Sequence, residues 1–486
     1  MPIKTISTAQ FFGRISTVLC VLAAACAVLI VIGLESPPRV LGYQLRLPSS
    51  TSSSEIILTF NRGMDRHSVE NNFHISPDVS GKYSWSGTSF VFTPDDTLPY
   101  GQQFTMSVFK DALDEDGRPL AADAVFSFST PQLQFAYIGV DADEAGRLVL
   151  SNFDGMQRDI LTPQDLHVDK FAITNDRQKI YFLGYTQVYQ TNHRDELYLY
   201  NLQTKALQQI TNDQNYLNKD FSLDPTGNLL LLSRVQVSPA GVYLTQLESW
   251  IAQTSDNIFH KFLNGASVGT AIFSPDGSYI LYKTRDGNYQ IVPSDASDDK
   301  QAVFVGSYDE AYGFHPLKPL LAFTKYDTTD LFSMNNFLYL FTGTGSVQKI
   351  DFGTGGLARD TVFLPNGKGF VVIFSKKDEA LDDKNSFYPL RIFHLYYDDL
   401  QTQKIQQLTS DPDFSEEDQV VSPDSRYLLF QQYETFGPDV VIDPAYRAVT
   451  DSLGSVQSGG QIVMMDLQTH QTTKLPMKGS HLAFLP

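Results

Sequence analysis

A twelve-residue string recurs in this chain with seven positions identical. Leu202–Asp213 reads LQTKALQQITND and Leu400–Asp411 reads LQTQKIQQLTSD, an offset of 198 residues that also carries Pro225 onto Pro423. A third copy, DLQTHQTTKLP, runs from Asp466 to Pro476. The same stretch is punctuated by an apolar strand ending in a proline-centred turn, at Pro225 (SLDPTG), Pro275 (IFSPDG), Pro316 (GFHPLK), Pro365 (VFLPNG) and Pro423 (VVSPDS). The equivalent place in AITNDRQ, at Asn175, lacks the proline. The steps are 50, 41, 49 and 58 residues, so the long offset is close to four units. A unit of this length cannot bury its apolar face alone and must stack on its neighbours.

Each unit reads as four short strands. Pro275 leads into YILYK (Tyr279–Lys283), YQIV (Tyr289–Val292) and AVFV (Ala302–Val305). Four strands per unit of about 40–50 residues is the arithmetic of a β-propeller blade. The two ends complement each other. The first unit, from Phe135, has three strands and lacks the one before them, and SHLAFLP (Ser480–Pro486) looks like that missing strand. The reading is a propeller of about seven blades over residues 133–486, closed by the C-terminal strand, which leaves no sheet edge open between the ends. This half resembles the TolB-like propeller family, whose repeats run strand, SPDG, strand, loop, LYxxDLxTG, strand. Lys205 and Gln403 stand where that pattern has a turn glycine. The resemblance implies a fold and no chemistry.

Residues 15–34, ISTVLCVLAAACAVLIVIGL, carry no charge and are long enough to span a hydrocarbon core of roughly 30 Å as a helix. Lys4 and Arg14 precede them and Glu35 follows. The positive-inside bias then makes 1–14 a cytoplasmic tail and 15–34 an uncleaved anchor, giving a single-pass membrane protein with its folded domains outside the cytoplasm. A cleaved signal peptide would have a shorter apolar core. A lipoprotein signal would need a leucine one place away from where it stands before Cys26.

Pro37-Pro38 stops that helix. Between 37 and 131, short alternating segments follow at sandwich spacing: Glu55–Phe60, Phe73–Ile75, Tyr83–Trp85, Ser89–Thr93, Gln103–Phe109 and Ala124–Ser129. Phe60, Met64-Asp65, Pro77, Gly81 with Trp85, Phe92 with Pro94, Leu98, Gly101, Asp116-Gly117 and Phe126 with Phe128 resemble the bacterial Ig-like domain of the SbsA type. The resemblance implies a spacer or adhesion module. Asp114-Glu115-Asp116-Gly117 lacks the twelfth-position Glu of a calcium loop and reads as a tight turn.

Function is less visible than fold. A net charge of -19 without a basic run excludes phosphate-backbone binding. Both cysteines, Cys20 and Cys26, lie in the apolar stretch, so the rest of the chain has no disulfide and no thiolate metal site. The nine histidines fall in no zinc spacing, and no cofactor motif occurs. Gly265-Ala266-Ser267-Val268-Gly269 matches G-x-S-x-G, but a strand follows where a nucleophile elbow needs a helix. The chain therefore reads as a non-enzyme. A glycan hydrolase with paired carboxylates from different blades stays open as an alternative, since such a pair leaves no local motif. A purely structural envelope role is the third reading.

Strands alternate in direction, so each blade's first and third turns open on one side and its second turn on the other. The second turns carry the insertions: Gly184–Asp195, Asp327–Asn335, Ser375–Pro389 and Gln432–Gly460. Long loops on one side of a rigid scaffold are where binding concentrates. Their aromatics, Tyr185, Phe332, Phe387, Tyr388, Tyr433, Phe436 and Tyr446, are the candidate contacts for a protein or glycan partner of the cell envelope.

Overall fold

The computed structural model describes residues 19–24, 37–46, 55–95, 98–141, 143–186, 194–238, 242–265, 271–296, 298–329, 335–343, 345–376, 380–381, 390–434 and 460–485. The membrane expectation is corrected at once. Among the described residues no helix is long and apolar enough to cross a membrane. Within 15–34 the described helical part is 19–24, which rises about 9 Å where a crossing takes about 30 Å. The other residues of 15–34, and the tail 1–14, lie outside the described residues. The reading as a single-pass membrane protein therefore does not stand.

The chain divides into two compact units, one including Ser54–Asp95 and Gln102–Ser129, the other including Thr130–Pro486. The first is a β-sandwich. One sheet runs Val40–Arg46, Glu55–Phe60, Ser89–Pro94, Gly81–Ser86, and the other Phe73–Ser76, Gln103–Val108, Ala124–Ser129. Alternation puts Ile56, Leu58 and Phe60 inward from one sheet and Phe104, Met106 and Val108 from the other. Phe73 lies between them with ring centroids 5.0 Å from Phe90 and 5.3 Å from Phe92.

Two details go beyond the sequence reading. A short helix, Arg66–Asn72, precedes Phe73, and the Asp65 carboxylate caps it by accepting from Ser68 N at 2.7 Å. Asp114, 2% exposed, accepts from the Asp116 and Arg118 amides and from Arg118 Nε at 3.0 Å. Its oxygens are committed to the turn, and Arg118 supplies the positive charge there, holding the carboxyl below its usual range against the opposing effect of burial.

The second unit is a propeller with seven four-stranded blades among the described residues. Blades one to five begin with inner strands His167–Ile173, Tyr216–Leu223, Ala271–Phe273, Glu310–Phe314 and Gly356–Phe363. Blades six and seven form one continuous seven-stranded sheet because they share the strand Thr472–Phe484. Its N-terminal half pairs with Gly460–Asp466 as the outer strand of blade six, whose inner strand is Phe414–Val421. Its C-terminal half pairs with Gln134–Gly139 as the inner strand of blade seven. Every inner strand touches the inner strand of the next blade, all the way round.

The core lies between blade faces. Ala322, Leu338 and Leu340 of blade four pack on Ala358, Phe370, Val372 and Phe374 of blade five. Phe135, Tyr137 and Val149 of blade seven pack on Leu429, Ile462 and Met464 of blade six. Each interface needs its neighbour, so the blades hold as a ring rather than singly.

The recurrent proline turn has a mechanical reason. In blade three Ser274 Oγ donates to Asp276 Oδ1 at 2.6 Å and accepts from Tyr279 N, while Gly277 takes a φ of 72°. Lys205, Gln403 and His470 hold the left-handed backbone of the tight turns after the third strands, with φ of 57°, 54° and 56°. Blade four replaces the turn serine with His315, 1% exposed, whose Nδ1 accepts from Leu317 N and Lys318 N at 3.0 Å each. Nε2 must then carry the proton, and it donates to Gly367 O of blade five at 3.0 Å. Burial depresses the imidazole pKa; the Gly367 bond opposes it, and the Lys318 charge adds a smaller push downward.

A depressed histidine favours the neutral form in the fold. Its contribution to stability is complete above the unfolded value of about 6.5 and is lost as pH falls toward the folded pKa. Denaturant midpoints should thus drop between about pH 7 and 5. His315→Gln should be less stable by about 1–2 kcal/mol at pH 7.5 and lack this part of the slope. Equal slopes in the two proteins would contradict this account of His315.

Candidate functional site

Pairing fixes which side of the disc each group faces. The start of each inner strand lies opposite the end of the second strand, as in His167 with Tyr185, Tyr216 with Gln236, Gly356 with Lys376 and Phe414 with Glu434. The connections that leave from this side, second strand to third, are the long ones: 186–195, 237–247, 327–335, 377–393 and 435–459. In blade three the same connection is a tight turn, with Thr284 N bonded to Asn288 O.

On this same side the inner strands bulge. One extra residue is inserted between Val168 and Lys170, Asn218 and Asp220, Ala311 and Gly313, Arg359 and Val362, Glu417 and Val420, and Ser480 and Ala483. A bulge opposes two residues to one and re-aims a side chain. Asp360, Asp418 and His481 take left-handed φ of 47°, 53° and 53° there. The repeated bulges bring Asp169, Lys219, Tyr312, Asp360, Asp418 and His481 to one level of the ring.

Neighbouring blades tie their charges together at this level. Lys170 Nζ meets Asp220 Oδ1 at 2.5 Å, and Arg359 Nη2 meets Glu417 Oε1 at 2.6 Å. Asp418 Oδ2 accepts from Leu482 N at 3.0 Å and from Gln431 Nε2, which pins the closing strand to blade six. Tyr312 donates to Glu310 Oε2 at 2.7 Å.

Acids remain in excess. Asp360 is 55% exposed as a side chain, and Arg359 Nε lies 4.0 Å from its Oδ2. Desolvation raises its carboxyl; Arg359 opposes the rise, and Glu417, Glu310 and Asp418 add to it. Asp195, at the foot of the 186–195 connection, is pushed up to about 7 by burial, then by Asp169 and Glu196, with Lys219 only partly offsetting them. Among the described residues no group of three or more His, Cys, Asp or Glu could hold a metal ion.

The sequence-predicted aromatics divide. Tyr185 is half-buried, its ring stacked on His167 at 5.5 Å between centroids. Tyr433 is half-buried, with its hydroxyl donating to Gln431 Oε1. Phe332, Phe387, Tyr388, Phe436 and Tyr446 lie outside the described residues. Residues 266–269 of the G-x-S-x-G string do too, as does Thr270, and the strand Ala271–Phe273 follows.

One apolar feature of this side escaped the sequence reading. After Gln236 the chain makes a hairpin extension held by a Val237–Tyr243 bridge, Ser238 N to Val242 O and Leu244 N to Gln236 O. It leaves Val242, Tyr243 and Leu244 61%, 58% and 59% exposed. Lys219 Nζ sits 5.8 Å from the Tyr243 ring centroid, which joins the hairpin to the bulge level. The available signal was a valine-tyrosine-leucine run beside Pro239 and Gly241 in a connection longer than a tight turn.

Residues 36–130 match the family model of the bacterial Ig-like domain. No curated protein matches the chain. Solved structures of similar fold include TolB from Acinetobacter baumannii, 14% identical, covering 85% of this chain and 83% of that one, with a TM-score of 0.40. An oligogalacturonate lyase from Vibrio parahaemolyticus is 12% identical over 71% of this chain and 85% of that one, at a TM-score of 0.46. The propeller domain of the trilobed protease from Pyrococcus furiosus is 10% identical over 64% and 85%, at 0.44.

The electrostatics of this side are open to direct titration. Carbon-detected NMR should find the Asp195 carboxyl titrating near 7. Asp169→Asn should move that value down and Lys219→Met should move it up. A wild-type Asp195 titrating in the ordinary carboxylate range would contradict the proposed surroundings.

Proposed function

We propose that this chain is a non-catalytic binding and scaffold protein whose propeller takes a protein or glycan partner on its long-loop side, with the Ig-like domain as spacer. The observation that carries this reading is a coincidence of sides. The long connections, the bulge-aimed charged residues and the exposed Val242, Tyr243 and Leu244 all lie on one side, while the opposite side has short turns closed by their own side chains. The carboxylates of the inner ring are in part committed to structure, Glu417 to Arg359 and Asp418 to the closing strand. A second reading, glycan hydrolysis in the channel, draws on Asp360, whose raised carboxyl lies among like charges.

The test is affinity capture from cell extract by the full chain, against a variant in which 382–389 and 435–459 are replaced by short Gly-Ser links. The expected result is a partner held by the intact chain and lost with the shortened one. Retention of nothing but copies of the chain would overturn the binding reading in favour of a structural role. Release of reducing sugar from polysaccharides, abolished by Asp360→Asn, would replace it with the hydrolase reading.

A further inference from the structure

We propose that the Ig-like unit takes a second copy of this chain along its edge strand Gly81–Ser86, the two strands running antiparallel so that one sheet continues through both copies. This goes beyond the binding reading and does not rest on it. Gly81–Ser86 is the last strand of its sheet and pairs on one side only, with Ser89–Pro94, in unbroken register. Asp95 N donates to Ser80 O at 3.0 Å, which fixes the alternation: Lys82, Ser84 and Ser86 bond to Thr93, Val91 and Ser89. Gly81, Tyr83 and Trp85 therefore direct their N–H and C=O groups away from the sheet. Among the described residues those groups have no partner. The unit's other edges are guarded. Val40–Arg46 is irregular between Val40 and Gly42, and Phe73–Ser76 is short and stops at Pro77. Tyr43 reaches across to Ala124–Ser129, its hydroxyl donating to Ser127 O at 3.3 Å.

The occupant follows from how this strand matches itself. Antiparallel pairing centred on Tyr83 sets Tyr83 opposite Tyr83 of the second copy and Gly81 opposite Trp85 at two symmetric places. Every outward group of both copies is then bonded. Centring on Ser84 instead would draw Gly87 into the ladder, where its φ of 59° ends the strand. Tyr83, 44% exposed beside Phe73, Phe90 and Phe92, gains cover from its own counterpart. Trp85 meets a glycine, which leaves room for its ring. On the other face Lys82, the strand's one charge, meets Ser84 of the second copy, in the pairing where side chains come closest. No like charges are opposed. The net charge of -19 on each copy resists the approach at long range, and salt screens it. So short a strand pair is smaller than a standard interface, and the dimer is weak.

Sedimentation equilibrium of the full chain, over a hundredfold range of concentration, should show a weak monomer–dimer equilibrium that tightens as salt rises. Ser84→Glu sets a carboxylate opposite Lys82 at two symmetric places and should tighten the dimer about fivefold, a gain that misfolding cannot produce. Ser84→Lys should weaken it about fivefold, and adding Lys82→Glu to that variant should restore it. Both side chains are exposed, and thermal melts check that the fold is kept. A monomer at every concentration, a dimer indifferent to the Ser84 variants, or one weakened by Ser84→Glu would overturn the proposal. Binding of a fluorescein-labelled hexapeptide of alternating valine and threonine, with the chain monomeric throughout, would also overturn it, in favour of a foreign strand.

Discussion

The antiparallel pairing of the Thr472–Phe484 strand with two blades at once is the contact on which the second unit depends. Its first half bonds to Gly460–Asp466 and its second half to Gln134–Gly139, so residues more than 300 apart in sequence become neighbours. At the crossover, Gly479 lets the backbone pass close to blade seven, where a Cβ would meet the Tyr137 ring at 2.5 Å and Ile138 O at 3.0 Å. Without this strand blade seven has no inner strand, and the apolar faces of blades six and seven lose their fixed register. The entropic cost of so long a closure grows only slowly with length, and the interblade cores offset it.

Closure has a consequence for chemistry. A closed ring brings seven inner strands together at one axis, and six of them bulge near the same end. Charged side chains thereby gather where desolvation is strong, and pairing across blades compensates only some of them. The same architecture that fixes the blades thus builds a polar, acid-rich mouth on the side where the long connections leave.

Much of the scaffold was legible because turn chemistry is local. Ser274, Asp276 and Gly277 make their bonds within six residues, so each unit announces its first turn in sequence. The unit offset also relates buried polar links: Glu196, Thr211 and Asn218 bond together in blade one to two, and His394, Thr409 and Glu416 do so at the matching positions later. Other features were hidden for physical reasons. Hydropathy over 15–34 measures apolar length and not helix length, and the described helix there covers 19–24. The Arg66–Asn72 helix buries only Val69, too little to leave a periodic pattern. Bulges are relations between strands, so nothing local in the sequence marks the Asp169-Lys170, Lys219-Asp220, Arg359-Asp360 and Glu417-Asp418 dyads as sharing one level. Of the candidate aromatics, the two that are described prop the ends of second strands, which no loop-length argument separates from exposed contacts.

The central claim is that the bulged, long-loop side is the working side of the propeller. Hydrogen exchange of the full chain, alone and with a partner captured from cell extract, measures this most directly. The account predicts slower exchange in 215–220 and 236–244 on binding, with the turns 174–178, 224–228 and 274–278 unchanged. Slowing confined to those turns, or none anywhere, would contradict it.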